Sequence, residues 1–140
     1  MTKIHEINLL GQSIWLDSIS RTMFESNELS KLITDGVSGL TSNPTIFDKA
    51  VSETNLYNAQ IKKLHLQGKN ISEIFEAIAV SDVQSAADLM NEVYEKTSAR
   101  DGYVSIEVSP KIANDSSATI DEAIRIWESI NRPNIMIKVP

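Results

Sequence analysis

Asn134-Ile135-Met136-Ile137-Lys138-Val139-Pro140 sets a lysine inside an apolar, β-branched run, and the reading of the fold starts there. Four to five residues of this kind are strand-length. Three earlier runs are built alike: Ser13-Ile14-Trp15-Leu16, ending at Asp17; Val37-Ser38-Gly39-Leu40-Thr41, ending at Ser42-Asn43-Pro44; and Tyr103-Val104-Ser105-Ile106-Glu107-Val108. Each run closes on or near a polar or reactive residue.

Helical periodicity fills the gaps. Residues 20–33 carry Met23, Phe24, Leu29, Leu32 and Ile33 on one face and stop at Asp35-Gly36. A short helix is expected over 45–51 after Pro44, and another over 54–67 before Gly68. The longest pattern covers 71–98, with Asn70 as N-cap and a possible division at Ser81-Asp82. Residues 117–130 carry Ile120, Ala123, Ile124, Trp127 and Ile130, with Asp121-Glu122 expected in the first turn and Arg132-Pro133 ending the helix. Strands alternating with helices imply parallel βα units. About sixty residues separate the second and third strands, too many for a structureless loop, so they read as inserted helices. The expected architecture is α/β, with four parallel strands and the inserted helices between the second and third.

Composition narrows the chemistry. Apolar residues make up 41% and charged residues 23% of 140, the balance of a folded soluble domain. Thirteen basic against 19 acidic residues give a net charge of -6 with no basic stripe, which argues against nucleic acid as a partner. There is no cysteine, so disulfides, thiolate metal sites and a cysteine nucleophile are excluded. His5 and His65 lack ligand spacing, so no metal site is expected. The opening residues lack the apolar core of a signal peptide, and no apolar run is long enough for a bilayer span, so the expected location is the cytoplasm.

Asp17, Asn43, Glu107 and Lys138 fall at the C-terminal ends of four successive strands. That rim carries the chemistry in parallel barrels, and ligands bind there in open α/β sheets. A desolvated lysine amine loses its charge more readily, and a neutral amine attacks carbonyls to form a Schiff base. The plainer alternatives are a lysine with its ammonium in water or one paired with Glu107. Asp17 and Glu107 suit an acid/base pair. Alternatively, Asp17 caps the next helix or pairs with Arg21, and Glu107 is a buried partner for a cation. Asn43 before Pro44 suits a turn or cap. His65 reads as part of a solvated face, and Trp15 and Trp127 as core residues.

Several motifs together carry a family likeness. Gln12-Ser13-Ile14-Trp15-Leu16-Asp17-Ser18-Ile19-Ser20-Arg21 and Asp35-Gly36-Val37-Ser38-Gly39-Leu40-Thr41-Ser42-Asn43-Pro44-Thr45-Ile46-Phe47 resemble the opening of a transaldolase. Val104-Ser105-Ile106-Glu107-Val108-Ser109-Pro110 resembles its third strand, and residues 134–140 its lysine strand. The resemblance is to the longer bacterial subfamily, which also occurs fused to glucose-6-phosphate isomerase. It implies a (β/α)8 barrel, of which residues 1–140 would be one partial domain forming the first half, and a cofactor-free enzyme of the pentose phosphate pathway. Such an enzyme moves a dihydroxyacetone unit from sedoheptulose 7-phosphate to glyceraldehyde 3-phosphate, yielding erythrose 4-phosphate and fructose 6-phosphate. By match to the motifs, Lys138 is the imine-forming lysine, Asp17 the general acid/base and Glu107 the group that passes protons through a water. Asn43 would hold a hydroxyl of the dihydroxyacetone unit, with Thr41 beside it. A full barrel of this type needs about 250 residues and eight strands. The phosphate-gripping Arg and Ser of the family match nothing in this chain. The expectation is therefore an incomplete fragment with little or no turnover. The alternative is a non-catalytic half-barrel α/β module for binding or assembly. Fructose-6-phosphate aldolase shares the lysine, but its shorter chains should lack the helical insertion at 45–98.

Overall fold

The computed structural model describes residues 2–140. Four strands, β1 (Trp15–Leu16), β2 (Gly39–Thr41), β3 (Tyr103–Glu107) and β4 (Ile135–Lys138), form one sheet. All are parallel, in the order β1-β2-β3-β4. The register sets Leu16 beside Leu40, Thr41 beside Ser105, and Glu107 beside Lys138. This is the four-stranded parallel α/β arrangement expected of a partial barrel.

Side chains alternate across a sheet, and here the alternation separates packing from chemistry. Leu40, Val104, Ile106 and Ile135 join the main core, with Leu16 and Ile137 packed against it. The opposite face therefore receives Trp15, Gly39, Thr41, Ser105, Glu107, Met136 and Lys138. Each fully buried aliphatic side chain contributes about 1.5–3 kcal/mol relative to exposure. The helix-covered face thus carries the stability, and the other is free to hold polar groups. Gly39 has a steric reason: a Cβ there would meet the Trp15 ring at 2.2 Å. Trp15 consequently lies on the polar face over β2, and Trp127, expected in the core, is 52% exposed on the outer side of its helix.

The helices are α1 (Lys3–Leu9), α2 (Arg21–Glu25), α3 (Glu28–Thr34), α4 (Pro44–Ser52), α5 (Asn58–Leu66), α6 (Ile71–Lys96) and α7 (Ser116–Ile130), with a 3-10 turn at Pro110–Ile112. The pattern over 20–33 predicts one helix, but two form, because Asn27 adopts a left-handed conformation at φ 57°. The possible break at Ser81-Asp82 does not occur. Asn70 and Glu73 close a capping box, and α6 runs unbroken for 26 residues. Asp115, not Asp121-Glu122, occupies the start of α7, and Asn131 ends it in a left-handed conformation ahead of Arg132. α1, which the apolar periodicity did not suggest, is held by a Thr2–His5 capping box.

At 26 residues α6 is about 39 Å long, over twice the length of β3. From its middle onward it packs through Val83, Ala86, Ala87 and Met90, all fully buried, against the sheet. Close approach is enforced near its end: a Cβ on Gly102, at φ +86°, would meet the Tyr94 backbone nitrogen at 2.2 Å. Its first half extends past the strand ends and joins α4 and α5 in a smaller core of Ala50, Tyr57 and Ile78.

A buried polar network fastens that insertion to the β1–α2 connection. Asp82, 1% exposed, accepts from Arg21 Nε at 2.9 Å and from the Tyr57 hydroxyl at 2.8 Å. The Tyr57 oxygen in turn accepts from the Arg21 backbone N–H at 3.1 Å. Arg21 also donates to the Leu56 carbonyl and to Gln60, and its guanidinium stacks 4.3 Å above the Tyr57 ring. This explains the continuity of α6 at Asp82: both carboxylate oxygens are satisfied by side chains and do not compete for the helix backbone. Burial pushes the Asp82 carboxyl above its usual range, against the opposing pull of Arg21 and Tyr57.

Burial also pushes the Tyr57 hydroxyl up to about 12. The folded state then holds this proton more tightly than the unfolded chain. Its contribution is complete below pH 10 and is lost as pH rises from 10 to about 12. Tyr57→Phe should lower stability at pH 7 by about 1–3 kcal/mol, since it strips partners from Asp82 and the Arg21 N–H. It should also flatten the alkaline loss, as read from denaturant midpoints across that pH range. An alkaline limb as steep as that of the unsubstituted protein would contradict the assignment.

Candidate functional site

The register of β3 and β4 builds the centre of the site. Glu107 and Lys138 are partners across the two strands, and their side chains share the polar face. Lys138 Nζ lies 2.9 Å from Glu107 Oε2, forming an ion pair in which the lysine side chain is 36% exposed and the glutamate 16%. Lys138 Nζ also reaches Thr41 Oγ1 at 3.5 Å. Thr41 belongs to β2, so the lysine side chain crosses the whole width of β3 to meet it. The sequence reading that Lys138 pairs with Glu107 is thus correct as geometry.

Asn43 enters from the β2–α4 connection. Its Oδ1 accepts from the Ile46 backbone N–H at 3.0 Å, capping α4, with Pro44 in the first helical position. Spending the amide oxygen on the cap leaves the amide NH2 as the end that can meet a ligand. Asn43 and Glu107 together line a cleft of about 570 Å³, whose other walls include Phe47, Phe75 and Lys111. Lys138 is not part of that lining. The amine stands on the open polar face of the sheet, and the cleft meets the site only through Asn43 and Glu107.

Asp17 follows β1 directly, one step beyond the Leu16–Leu40 pairing and therefore beside Thr41. It is exposed and makes no hydrogen bond or ion pair among the described residues. Both structural alternatives for it fall away. Ser20, not Asp17, caps α2, and Arg21 is occupied by Asp82. The structure thus joins Lys138, Glu107 and Thr41 directly, joins Asn43 to Glu107 across a cleft wall, and leaves Asp17 unengaged on the same rim. His65 is exposed on α5.

Sequence reasoning passed over two polar features. One is the Arg21–Asp82–Tyr57 network, although a carboxylate among Ile78, Ala79, Val83 and Ala86 was a visible anomaly. The other is Ser105, 5% exposed, whose Oγ is buried without a hydrogen-bond partner. No group of three or more His, Asp or Glu side chains among the described residues is placed to hold a metal. No helix among them is long and apolar enough to cross a membrane.

A lysine–glutamate pair on the C-terminal rim of a parallel sheet can exchange a proton between an amine and a carboxylate. The sequence model for transaldolase/fructose-6-phosphate aldolase matches residues 14–140. The chain belongs to that family. Among curated relatives, a transaldolase of Trichodesmium erythraeum is 47% identical over 136 residues, covering 96% of this chain and 36% of the relative. Transaldolases of Neisseria gonorrhoeae, 42% identical over 140 residues, and Thiobacillus denitrificans, 41% over 136, are covered for 40% and 38% of their lengths. The chain therefore spans well under half the length of these transaldolases. The family fold is a (β/α)8 barrel, and the four parallel strands agree with part of one.

The double duty of Asn43 can be separated experimentally. Asn43→Ala should cost about 1 kcal/mol of stability through loss of the cap, whereas Asn43→Asp, another good cap, should remain within about 0.5 kcal/mol. Chemical denaturation measures both. Equal destabilisation by the two substitutions would show that the cap bond is not what Asn43 contributes to the fold.

Proposed function

We propose that the protein carrying this chain is a transaldolase acting through a Schiff base on Lys138. The observation that carries the reading is the convergence of Lys138 Nζ on Glu107 at 2.9 Å and on Thr41 at 3.5 Å, in a chain of this family. An amine beside a carboxylate has a partner to take its proton before it attacks a carbonyl.

In this reading the Lys138 amine adds to C2 of sedoheptulose 7-phosphate or fructose 6-phosphate. Glu107 supplies the proton with which the C2 oxygen leaves as water, and a protonated imine remains. Asp17 removes the proton of the C4 hydroxyl, and the C3–C4 bond breaks. Its electrons move to the iminium nitrogen, leaving a three-carbon enamine on Lys138 and releasing the aldehyde, erythrose 4-phosphate or glyceraldehyde 3-phosphate. The enamine attacks the other aldehyde, and hydrolysis returns the lysine. The Asn43 NH2 and Thr41 hydroxyl hold hydroxyls of the three-carbon unit. The reaction needs no metal or organic cofactor, since the imine is the electron sink. On this reading the enzyme acts on sugar phosphates of the pentose phosphate pathway in the cytoplasm. The relatives' name and the helical insertion between β2 and β3 favour transaldolase over fructose-6-phosphate aldolase. The same coverage figures favour a phosphate grip supplied by chain outside these 140 residues.

Borohydride reduction of the full-length protein with fructose 6-phosphate should leave a stable covalent adduct on Lys138, found by peptide mass spectrometry. Lys138→Ala should abolish the adduct, and Glu107→Gln should slow turnover by about 10²-fold or more. Labelling at any other lysine would refute the reading. The 140-residue chain purified alone should show little or no turnover, and activity close to that of a full-length transaldolase would overturn that part.

A further inference from the structure

Asp17 is exposed, and its carboxylate makes no hydrogen bond or ion pair among the described residues. Its position is therefore set by the backbone on either side of it. The elements on both sides are short. β1 has two residues and ends at Leu16, and α2 has five and starts at Arg21. Ile19 anchors the connection in the main core, and Ser20 caps α2. A further hold comes from outside this segment. The Arg21 N–H lies in the first turn of α2, where no carbonyl of the helix can accept from it, and it donates to the Tyr57 hydroxyl at 3.1 Å. That hydroxyl donates to Asp82 Oδ2 at 2.8 Å, and Arg21 Nε donates to Asp82 Oδ1 at 2.9 Å. Arg21 also donates to the Leu56 carbonyl at 3.2 Å. Tyr57 and Asp82 are both buried and both belong to the insertion between β2 and β3. Apolar side chains of similar volume would stabilise such a junction as well, but only directional bonds to a main-chain N–H fix one placement of the segment after Asp17.

We propose that Tyr57 and Asp82 are positioning residues for the Asp17 carboxylate, so that the helical insertion sets the place of the acid/base group. This rests on the reading of Asp17 as the base that acts on the Lys138 imine. In that step Asp17 takes the proton of the C4 hydroxyl, and the C4–O bond becomes the aldehyde carbonyl. The C3–C4 bond breaks, and its electrons pass to the iminium nitrogen. A general base must stand about 3 Å from the atom that gives up the proton, and a misplacement of about 1 Å costs about 10²-fold. With no hydrogen bond of its own, the Asp17 side chain follows its backbone. Lys138 and Glu107 are placed instead by the pairing of β3 with β4, which the network does not touch. The network therefore acts on carbon–carbon cleavage and leaves imine formation alone.

The test separates the two steps in the full-length protein. Exchange of the C2 oxygen of fructose 6-phosphate with ¹⁸O-water reports imine formation and hydrolysis, and single-turnover release of glyceraldehyde 3-phosphate reports cleavage. Tyr57→Phe should slow cleavage about tenfold and keep exchange within about twofold of the unsubstituted rate. Asp82→Asn offers one acceptor oxygen where Tyr57 and Arg21 use two, and it should show the same split. It carries the test if Tyr57→Phe does not fold. Ile130→Val, a loss of packing in the main core away from the network, should leave both steps within about twofold. In a protein already bearing Asp17→Asn, adding Tyr57→Phe should bring no further loss of the residual cleavage, because there is no carboxylate left to position. Exchange and cleavage slowed alike, cleavage unaltered, or a second tenfold loss on top of Asp17→Asn would each overturn the proposal. So would a slowing of cleavage by Ile130→Val equal to that by Tyr57→Phe. If the unsubstituted protein forms no borohydride-trapped adduct at Lys138, the imine reading fails and this inference falls with it. An adduct at Lys138 with both steps slowed alike in Tyr57→Phe removes this inference alone.

Discussion

The pairing of β3 with β4 in one register is the constraint on which the site depends. Glu107 beside Lys138 places a carboxylate and an amine 2.9 Å apart on the same face. A slip of one residue would send one of them to the helix side, among Val104, Ile106, Ile135 and Ile137. An unpaired charge there would cost several kcal/mol, so the apolar packing of one face fixes the chemistry of the other. The same register aligns Ser105 with Thr41 and lets the lysine cross β3 to a third strand.

The insertion between β2 and β3 serves this arrangement from outside the sheet. One half of α6 closes the core through small residues, and the other half rises beyond the strand ends to wall the cleft that holds Asn43 and Glu107. The Arg21–Asp82–Tyr57 network joins that upper half to the segment just after Asp17. A buried ion pair is a poor source of stability by itself, but removing either partner leaves a charge without compensation. Such a network is thus intolerant of alternative placements of α2, and it sets where the β1 connection leaves the sheet.

Much of this was legible along the chain. The four strands, their parallel order and the rim residues Asp17, Asn43, Glu107 and Lys138 all follow from period-2 and helical spacing and from the residues that end each run. The transaldolase motifs follow from residue identity, and the family match over 14–140 agrees with them. The division of α2 from α3 was not legible, because Asn27 fits a helix by composition and leaves it only through its backbone conformation. The exposure of Trp127 was not legible either. Helical spacing shows that residues share a face, not whether another element covers it.

The amino-acid sequence alone determined which residues could do chemistry and which edge of the sheet would carry them, because alternation and strand length are local properties. Only the tertiary structure decided which of those residues touch. Lys138 meets Glu107 and Thr41, Asn43 spends its oxygen on a helix cap, and Asp17 stands free because Arg21 is taken by Asp82. Those outcomes depend on contacts between residues 31 to 97 positions apart, except for the local cap. Register, strand order and competition for partners set such contacts, and none of these is a property of a single segment.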